Sequence, residues 1–220
     1  MQHQHFEKIN STQDEILKYK DHFDSEVLVT CDEQLAGRGQ YDRKWDSFKD
    51  TLCFSFKYYE NQIPSLTSLE LGVLIRNYFF EEYHLKLELK WPNDIYFQHK
   101  KVAGILTQSL SPHYYAVGVG INYTLPKDKD SKYGSLFKEF EVSKKEEAKR
   151  IYSYLLANRL SSTDTVKHWE AMCIHLNKDI IITDKEKKIT GKFIGLGKFG
   201  EALVESDGLI VPAYTGSLTF

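Results

Sequence analysis

The sequence predicts an α+β fold, a mixed or antiparallel sheet flanked by helices over residues 1–175, followed over 176–220 by a small five-strand β-barrel. Two textures carry this. Up to about residue 173, alternating β-branched runs are interleaved with capped helical segments. From Asn177 onward only short strands remain (DIIITD, KKITGKFIGLG, EALVESD, LIVPAYTG), with turns at Gly191, Gly197, Gly200 and Gly208. Size agrees: 220 residues, 41% hydrophobic and 14% aromatic, can bury one large core with a small appendage and are not a disordered chain.

Thr12-Gln-Asp-Glu15 reads as a capping box opening a helix to about Tyr19. EVLVTCDEQ (26–34) alternates as a strand and runs into a polar, cationic loop, LAGRGQYDRKWDSFKD. TLCFSFKYY (51–59) is the next strand. Pro64 starts a helix bearing Leu66, Leu69, Val73 and Leu74 and ending near Tyr83. LKLELKW (85–91) alternates as a strand. DIYFQHKKVAGILTQS reads as a hairpin turning at Gln98–Lys100, and YYAVGVGINYT (114–124) as a further strand. Residues 125–142 form a polar loop. Ser143-Lys-Lys-Glu146 caps a helix to about Leu160, and a shorter helix surrounds Trp169. His3 and His5 have no carboxylate or cysteine at ligand spacing, so the N-terminus reads as a mobile end.

Charge and cysteines exclude several classes. A net charge of −2 argues against a general polyanion binder. Cys31, Cys53 and Cys173 are odd in number and unpaired in pattern, as in a reducing compartment. MQHQHFEKIN lacks the apolar core of a signal peptide, and LELGVLIRNYFFEEY (69–83) is too short and too charged to span a bilayer. The expectation is a cytoplasmic protein that binds neither nucleic acid nor membrane.

Three stretches carry candidate chemistry. In AGRGQYDR (36–43), Gly37 and Gly39 let backbone close over a ligand, while Arg38, Arg43 and the following Lys44 supply anion-binding charge. Taken alone, such a loop is often merely solvated. KWPNDIYFQHKKVAGI (90–105) breaks a strand with Pro92 and sets Asp94 and Lys101 on the two sides of a hairpin. Its bland reading is a turn. VGVGIN (117–122) is a strand of small residues that admits close approach to its face. A dinucleotide cradle is excluded because no third glycine and no helix follow Gly118-Val-Gly120.

Together and in this order, these stretches resemble the biotin–protein ligases, or holocarboxylase synthetases. AGRGQYDRKWDS is similar to that family's Gly-Arg-Gly-Arg-x-Gly-x-x-Trp-x-Ser loop. KWPNDIYFQHKKVAGIL is similar to its Lys-Trp-Pro-Asn-Asp…Lys-x-x-Gly-Ile-Leu hairpin, and VGVGIN to its Gly-x-Gly-Ile-Asn strand. Ser11-Thr12 stands where its Ser-Thr-Asn tripeptide opens the first helix. The resemblance spans essentially the whole chain. It implies a class II synthetase-like catalytic domain (1–175) and an SH3-like C-terminal domain (176–220).

It also implies a two-step reaction: biotin and Mg-ATP give biotinyl-5′-AMP and pyrophosphate, then an acceptor lysine takes the biotinyl group and releases AMP. By this resemblance, Lys101 holds biotin's carboxylate against the phosphate, Arg38 pairs with phosphate or carboxylate oxygens, and Asp94 receives the acceptor's ammonium and helps remove its proton. Ser11, Thr12, Gln13 and Gln34 surround the ureido ring, with Gly39, Gln40 and Gly104 also on the biotin side. Arg43, Trp45, Lys90, Asn93 and Asn122 fall to ATP, with Trp45 covering adenine or biotin, Asn93 fixing the turn or the nucleotide and Asn122 meeting ATP or its metal; Mg2+ enters with the nucleotide. The plainer alternatives are helix capping for Ser11–Gln13, surface charge for Lys90 and a solvated hairpin lysine for Lys101, which is the reading taken for Lys100.

The implied partner is a biotin carboxyl-carrier domain, and a homodimer is left open. Ser11 lies ten residues from Met1, which leaves no room for a helix-turn-helix before it. Two rival readings stand beside this one. A lipoate–protein ligase is expected to lack the Trp-Pro-Asn-Asp turn, and a non-catalytic biotin or nucleotide sensor has no need of both Asp94 and Lys101. The sequence departs from the family at Gln40, in place of the second loop arginine, and at Asp42, in place of the following glycine. It departs again at Gln13, in place of asparagine, and at Ser47-Phe-Lys-Asp, in place of Ser-Pro-x-Gly.

Overall fold

The computed structural model describes residues 2–20, 26–126, 133–139, 143–185 and 187–220. Its first nine strands are β1 (Gln2–Ile9), β2 (Val27–Gln34), β3 (Gly37–Arg38), β4 (Lys44–Trp45), β5 (Thr51–Tyr59), β6 (Glu88–Lys90), β7 (Asp94–Phe97), β8 (Lys100–Ser111) and β9 (Tyr114–Asn122). Seven of them form one sheet in the order β1-β2-β5-β9-β8-β7-β6, while β3 and β4 form a separate two-stranded ribbon. The sheet is mixed because β1 runs parallel to β2 and every other pair is antiparallel. Helices α1 (Thr12–Ile16), α2 (Thr67–Tyr83), α3 (Lys144–Ala157) and α4 (Ser162–Ala171) complete this part.

Strand alternation sorts the sheet's two faces. On β5, Leu52, Phe54, Phe56 and Tyr58 point into the main core with α2 and α3, while Cys53 and Ser55 point to the opposite face. The core is anchored by buried carboxylates with full partner sets. Glu147 accepts from Tyr78, Tyr83 and Tyr123, and Glu70 from Arg159, Asn61 and the Leu160 amide. Burial together with the Glu147 carboxylate pushes the Tyr83 phenol up to about 12.

Several sequence expectations are corrected. The N-terminus is a strand. His3 and His5 both bond the Thr30 hydroxyl at 2.9 Å, and His5 reaches Asp32 at 3.3 Å, because parallel pairing brings those residues alongside. The cap of α1 is Ser11, whose extended backbone precedes the helix and whose hydroxyl accepts from the Asp14 amide; Thr12 is already helical. The 85–91 strand shrinks to Glu88–Lys90. His84 turns left-handed after α2, and the chain then bends at Trp91–Asn93. Helix α3 stops at Ala157, since Asn158 and Arg159 leave the helix and Arg159 pairs with Glu70. The expected 98–100 turn is present, with Gln98 and His99 both left-handed. Much of the 125–142 loop lies outside the described residues; its Tyr133–Phe137 part runs beside Lys101 and Asn122–Tyr123.

The C-terminal part contains β10 (Asp179–Asp184), β11 (Lys187–Leu196), β12 (Ala202–Ser206), β13 (Leu209–Ala213) and β14 (Ser217–Thr219). These form a five-stranded antiparallel sheet in the order β13-β12-β11-β10-β14. The strand number matches the expected SH3-like unit, but among the described residues no ladder joins β13 to β14, so the sheet is not a closed barrel. It is knit to the larger part: Trp91 donates to the Gly200 carbonyl at 3.0 Å, and the Leu196 amide donates to Glu170 at 2.6 Å. No helix among the described residues is long and apolar enough to cross a membrane.

Candidate active site

On the sheet face opposite the main core, a cavity open at its mouth lies between α1, the β3–β4 ribbon, the Trp91–Asp94 turn and the start of β14. It brings together nearly every residue singled out in the sequence. Ser11, Thr12, Gln13 and Gln34 line one end. Arg38, Gly39, Gln40, Arg43 and Trp45 form one wall. Lys90, Asn93, Asp94, Lys101 and Gly104 form the other. Asn122 does not reach it. Its buried side chain accepts from Thr51 at 3.1 Å and donates to the Gly134 carbonyl at 3.2 Å, fixing the strand end and the segment beside Lys101.

The two ends differ in chemistry. At the α1 end, neutral donors and acceptors interlock. Gln34 accepts from the Thr12 amide at 2.9 Å and from its hydroxyl at 3.2 Å. Ser55 donates to Thr12 at 2.9 Å and lies 3.3 Å from Gln13 Oε1, while Gln13 donates to Gln108 and to the Ala116 carbonyl. Ser11, Thr12 and Gln13 are all buried. Such a cluster holds its rotamers and presents an uncharged hydrogen-bonding surface. Gly118 makes room for it, since a Cβ there would lie 2.6 Å from Gln13 Oε1.

The other end is cationic. Arg38, Arg43, Lys44, Lys90 and Lys101 line the cavity, against one lining carboxylate among the described residues, Asp94. Asp94 lies 2.6 Å from Lys101 and 3.9 Å from Lys90. Strand pairing creates this group. Lys90 and Asp94 are register partners across β6–β7, and a bulge after Ile95 turns Lys101 back toward Asp94. Burial lowers the pKa of Lys90; Asp94 opposes that shift, and Lys101 and Arg43 add to it. Asn93 fixes the turn by donating to the Ile105 carbonyl at 2.6 Å, while the Ile105 amide bonds back to the Asn93 carbonyl.

Trp45 lies flat on the glycine strip, where a Cβ on Gly120 would come within 2.4 Å of its ring and one on Gly104 within 3.1 Å. Lys101 Nζ sits 5.5 Å from the indole centroid. Arg38 is drawn outward onto Asp14 of α1 at 2.6 Å.

Sequence reading missed Ser55, Gln108, Tyr41 and the Gly216–Ser217 pair at the start of β14. Ser55 had a signal, being a small hydroxyl on the non-core face of an otherwise apolar strand. Gly216 and Ser217 had none, since only the tertiary fold brings them to the cavity. Cys53 also lines it, but burial raises its thiol pKa, so it remains protonated and no nucleophile.

A sheet-borne cavity with a neutral recognition end and a cationic end defines a site for a small polar molecule together with an anion. Residues 5–122 match the family described as the biotin/lipoate A/B protein ligase family, and the chain belongs to it. The biotin protein ligase of Aquifex aeolicus, solved in complex with biotin and ATP, is similar at 30% identity. The match covers 99% of this chain and 98% of that one, with a TM-score of 0.80. The bifunctional ligase/repressor BirA of Escherichia coli is 26% identical over 229 residues, covering 96% of this chain and 71% of that protein. The biotin–acetyl-CoA-carboxylase ligase of Paracoccus denitrificans is 32% identical over 130 residues, covering 54% and 52%.

Proposed function

We propose that this protein activates biotin with ATP as biotinyl-5′-AMP and transfers it to a lysine of a biotin carrier domain in a carboxylase. The observation that carries the reading is the pairing, in one cavity, of the Thr12–Gln13–Gln34–Ser55 cluster with the Lys90–Asp94–Lys101 group. A ureido ring needs neutral donors and acceptors, and an anhydride-forming step needs cations around a phosphate and a carboxylate.

In the first step a carboxylate oxygen of biotin attacks the α-phosphorus, and the bond to pyrophosphate breaks. Lys101 and Arg38 neutralise the two anions that must meet, and Arg43, Lys44 and Lys90 face the departing phosphates. Their present partners, Asp94 for Lys101 and Asp14 for Arg38, keep both cations in place until substrate competes for them. In this reading Mg2+ arrives on the nucleotide's phosphates.

In the second step the acceptor ammonium docks on Asp94 and loses a proton. The free amine attacks the carbonyl carbon, and AMP leaves. Asp94 suits this role because Asn93 and the buried Trp91 hold its turn rigid.

The test is incubation with biotin, Mg-ATP and a biotin-carrier domain, reading the acceptor's mass, with biotin-dependent exchange of pyrophosphate into ATP as the half-reaction. Exchange that appears with lipoate and never with biotin overturns the assignment.

A further inference from the structure

The β3–β4 ribbon is tied at its tip to the C-terminal sheet. The Gly216 amide donates to the Tyr41 hydroxyl at 2.9 Å, and Arg43 Nη1 donates to the Ser217 hydroxyl at 3.2 Å. These contacts join residues more than 170 positions apart in the chain. Their anchor is rigid. Gly216 has φ 131°, a Cβ there would lie 2.7 Å from Ile182, and Ser217 pairs with Thr183 in the β10–β14 ladder. Their target is strained. Tyr41 is a non-glycine residue at φ 55°, ψ 43°, a conformation that persists only where surroundings hold it. Tyr41 is also largely exposed, so its packing does not supply that hold, and its hydroxyl bond to Gly216 does. At the loop's other side, Arg38 is held separately by Asp14 of α1.

We infer that Tyr41 and Ser217 are positioning residues. They clasp the 37–45 loop onto the C-terminal sheet and thereby set Arg43 and Lys44 at the cationic end. The C-terminal sheet is then a working wall of the site, consistent with Gly216, Ser217 and Leu218 lining the cavity. The substrate half of this inference rests on the biotin-activating reading; the loop half does not.

The test uses the full chain carrying Tyr41→Phe, Ser217→Ala or both, all of which keep Arg43. Tyr41→Phe also preserves the ring beside the guanidinium, 5.9 Å away. Severing two ordinary hydrogen bonds should speed tryptic cleavage after Arg38, Arg43 or Lys44 in the ligand-free double variant by about ten-fold. It should also raise KM for ATP by about ten-fold. Ser217→Thr, which keeps a hydroxyl, should behave as wild type. Unchanged cleavage of the double variant overturns the clasp, and an unchanged KM for ATP overturns its assignment to the cationic end. A wild type that shows no biotin-dependent exchange refutes the functional reading and the substrate half, while the cleavage comparison decides the clasp by itself.

Discussion

His175 offers a stability measurement whose size follows from its surroundings. It sits at the junction of the two sheets, fully buried, with its ring 4.4 Å from Phe193, 5.9 Å from Trp169 and 5.6 Å from Phe220. Among the described residues neither ring nitrogen has a hydrogen-bond partner. Burial, with smaller contributions from the Lys90 and Lys178 charges, drives its pKa from 6.5 down to about 3. The folded state therefore refuses a proton that the unfolded chain accepts below pH 6.5, and stability falls as pH drops from 6.5 toward 3. At about 1.4 kcal/mol per pH unit, this one group costs about 2 kcal/mol between roughly pH 7 and pH 5. His175→Leu removes the titration and keeps an apolar side chain in the cage. Urea unfolding of both proteins at the two pH values should show wild type losing about 2 kcal/mol more than the variant, with every other titrating group cancelling. Equal losses would mean that His175 is protonated alike in both states, and the burial argument would fall.

Within the proposed reaction, Lys101→Ala should slow adenylate formation by about 10²–10³-fold, as expected for loss of one charge-stabilising donor. Asp94→Asn should chiefly slow transfer to the acceptor; stopped-flow rates for each step separate the two, and equal damage to both by Asp94→Asn refutes its role. Gln40 is a neutral amide where the family pattern has arginine, so Gln40→Arg should slow release of biotinyl-AMP by about ten-fold, the worth of one charge-assisted bond. An unchanged release rate, followed by stray labelling of a bystander protein, rules out loop charge as what retains the intermediate. Finally, both backbone groups of Ile105 face Asn93, so by strand alternation those of Thr107 point past the end of β7. Thr107→Pro should then weaken use of a carrier domain that pairs there while sparing biotin binding, whereas Leu106→Pro should break the β8–β9 ladder and unfold the sheet. Titrations of carrier and biotin against each variant check both.

What was legible in the sequence was whatever short-range physics determines. The period-2 runs gave β5 and β9 nearly to the residue. The Ser143 cap was found because its partner Glu146 is three residues away. Glycines at 118 and 120 signalled close approach to the sheet, although what approaches here is the chain's own Gln13 and Trp45. The N-terminal strand was missed because QHQHFEKI has weak alternation, and only pairing with β2 makes it a strand. The strand ending at Trp91 was overextended because Leu87 is buried, and Leu85 partly buried, by packing on the core rather than by sheet pairing. Arg38 on Asp14 and Tyr41 on Gly216 depend on loop path, for which the sequence has no period to read.

The chain leaving α4 passes beside β6 before it enters the second sheet. The Leu89 amide donates to the Met172 carbonyl, the Ile174 amide donates to the Leu89 carbonyl, and Leu89 bridges Cys173 in parallel. Since β6 is the last strand of its sheet, this short crossing blunts what would otherwise be an open edge carrying Lys90. A protease nick or an early stop codon that removed residues beyond about 171 would bare those backbone groups one residue from the candidate site. It would also strip the aromatic cover from Trp169. Such a fragment should self-associate through β6, so a shortened form of this protein would be lost to aggregation before it could act as a partial enzyme.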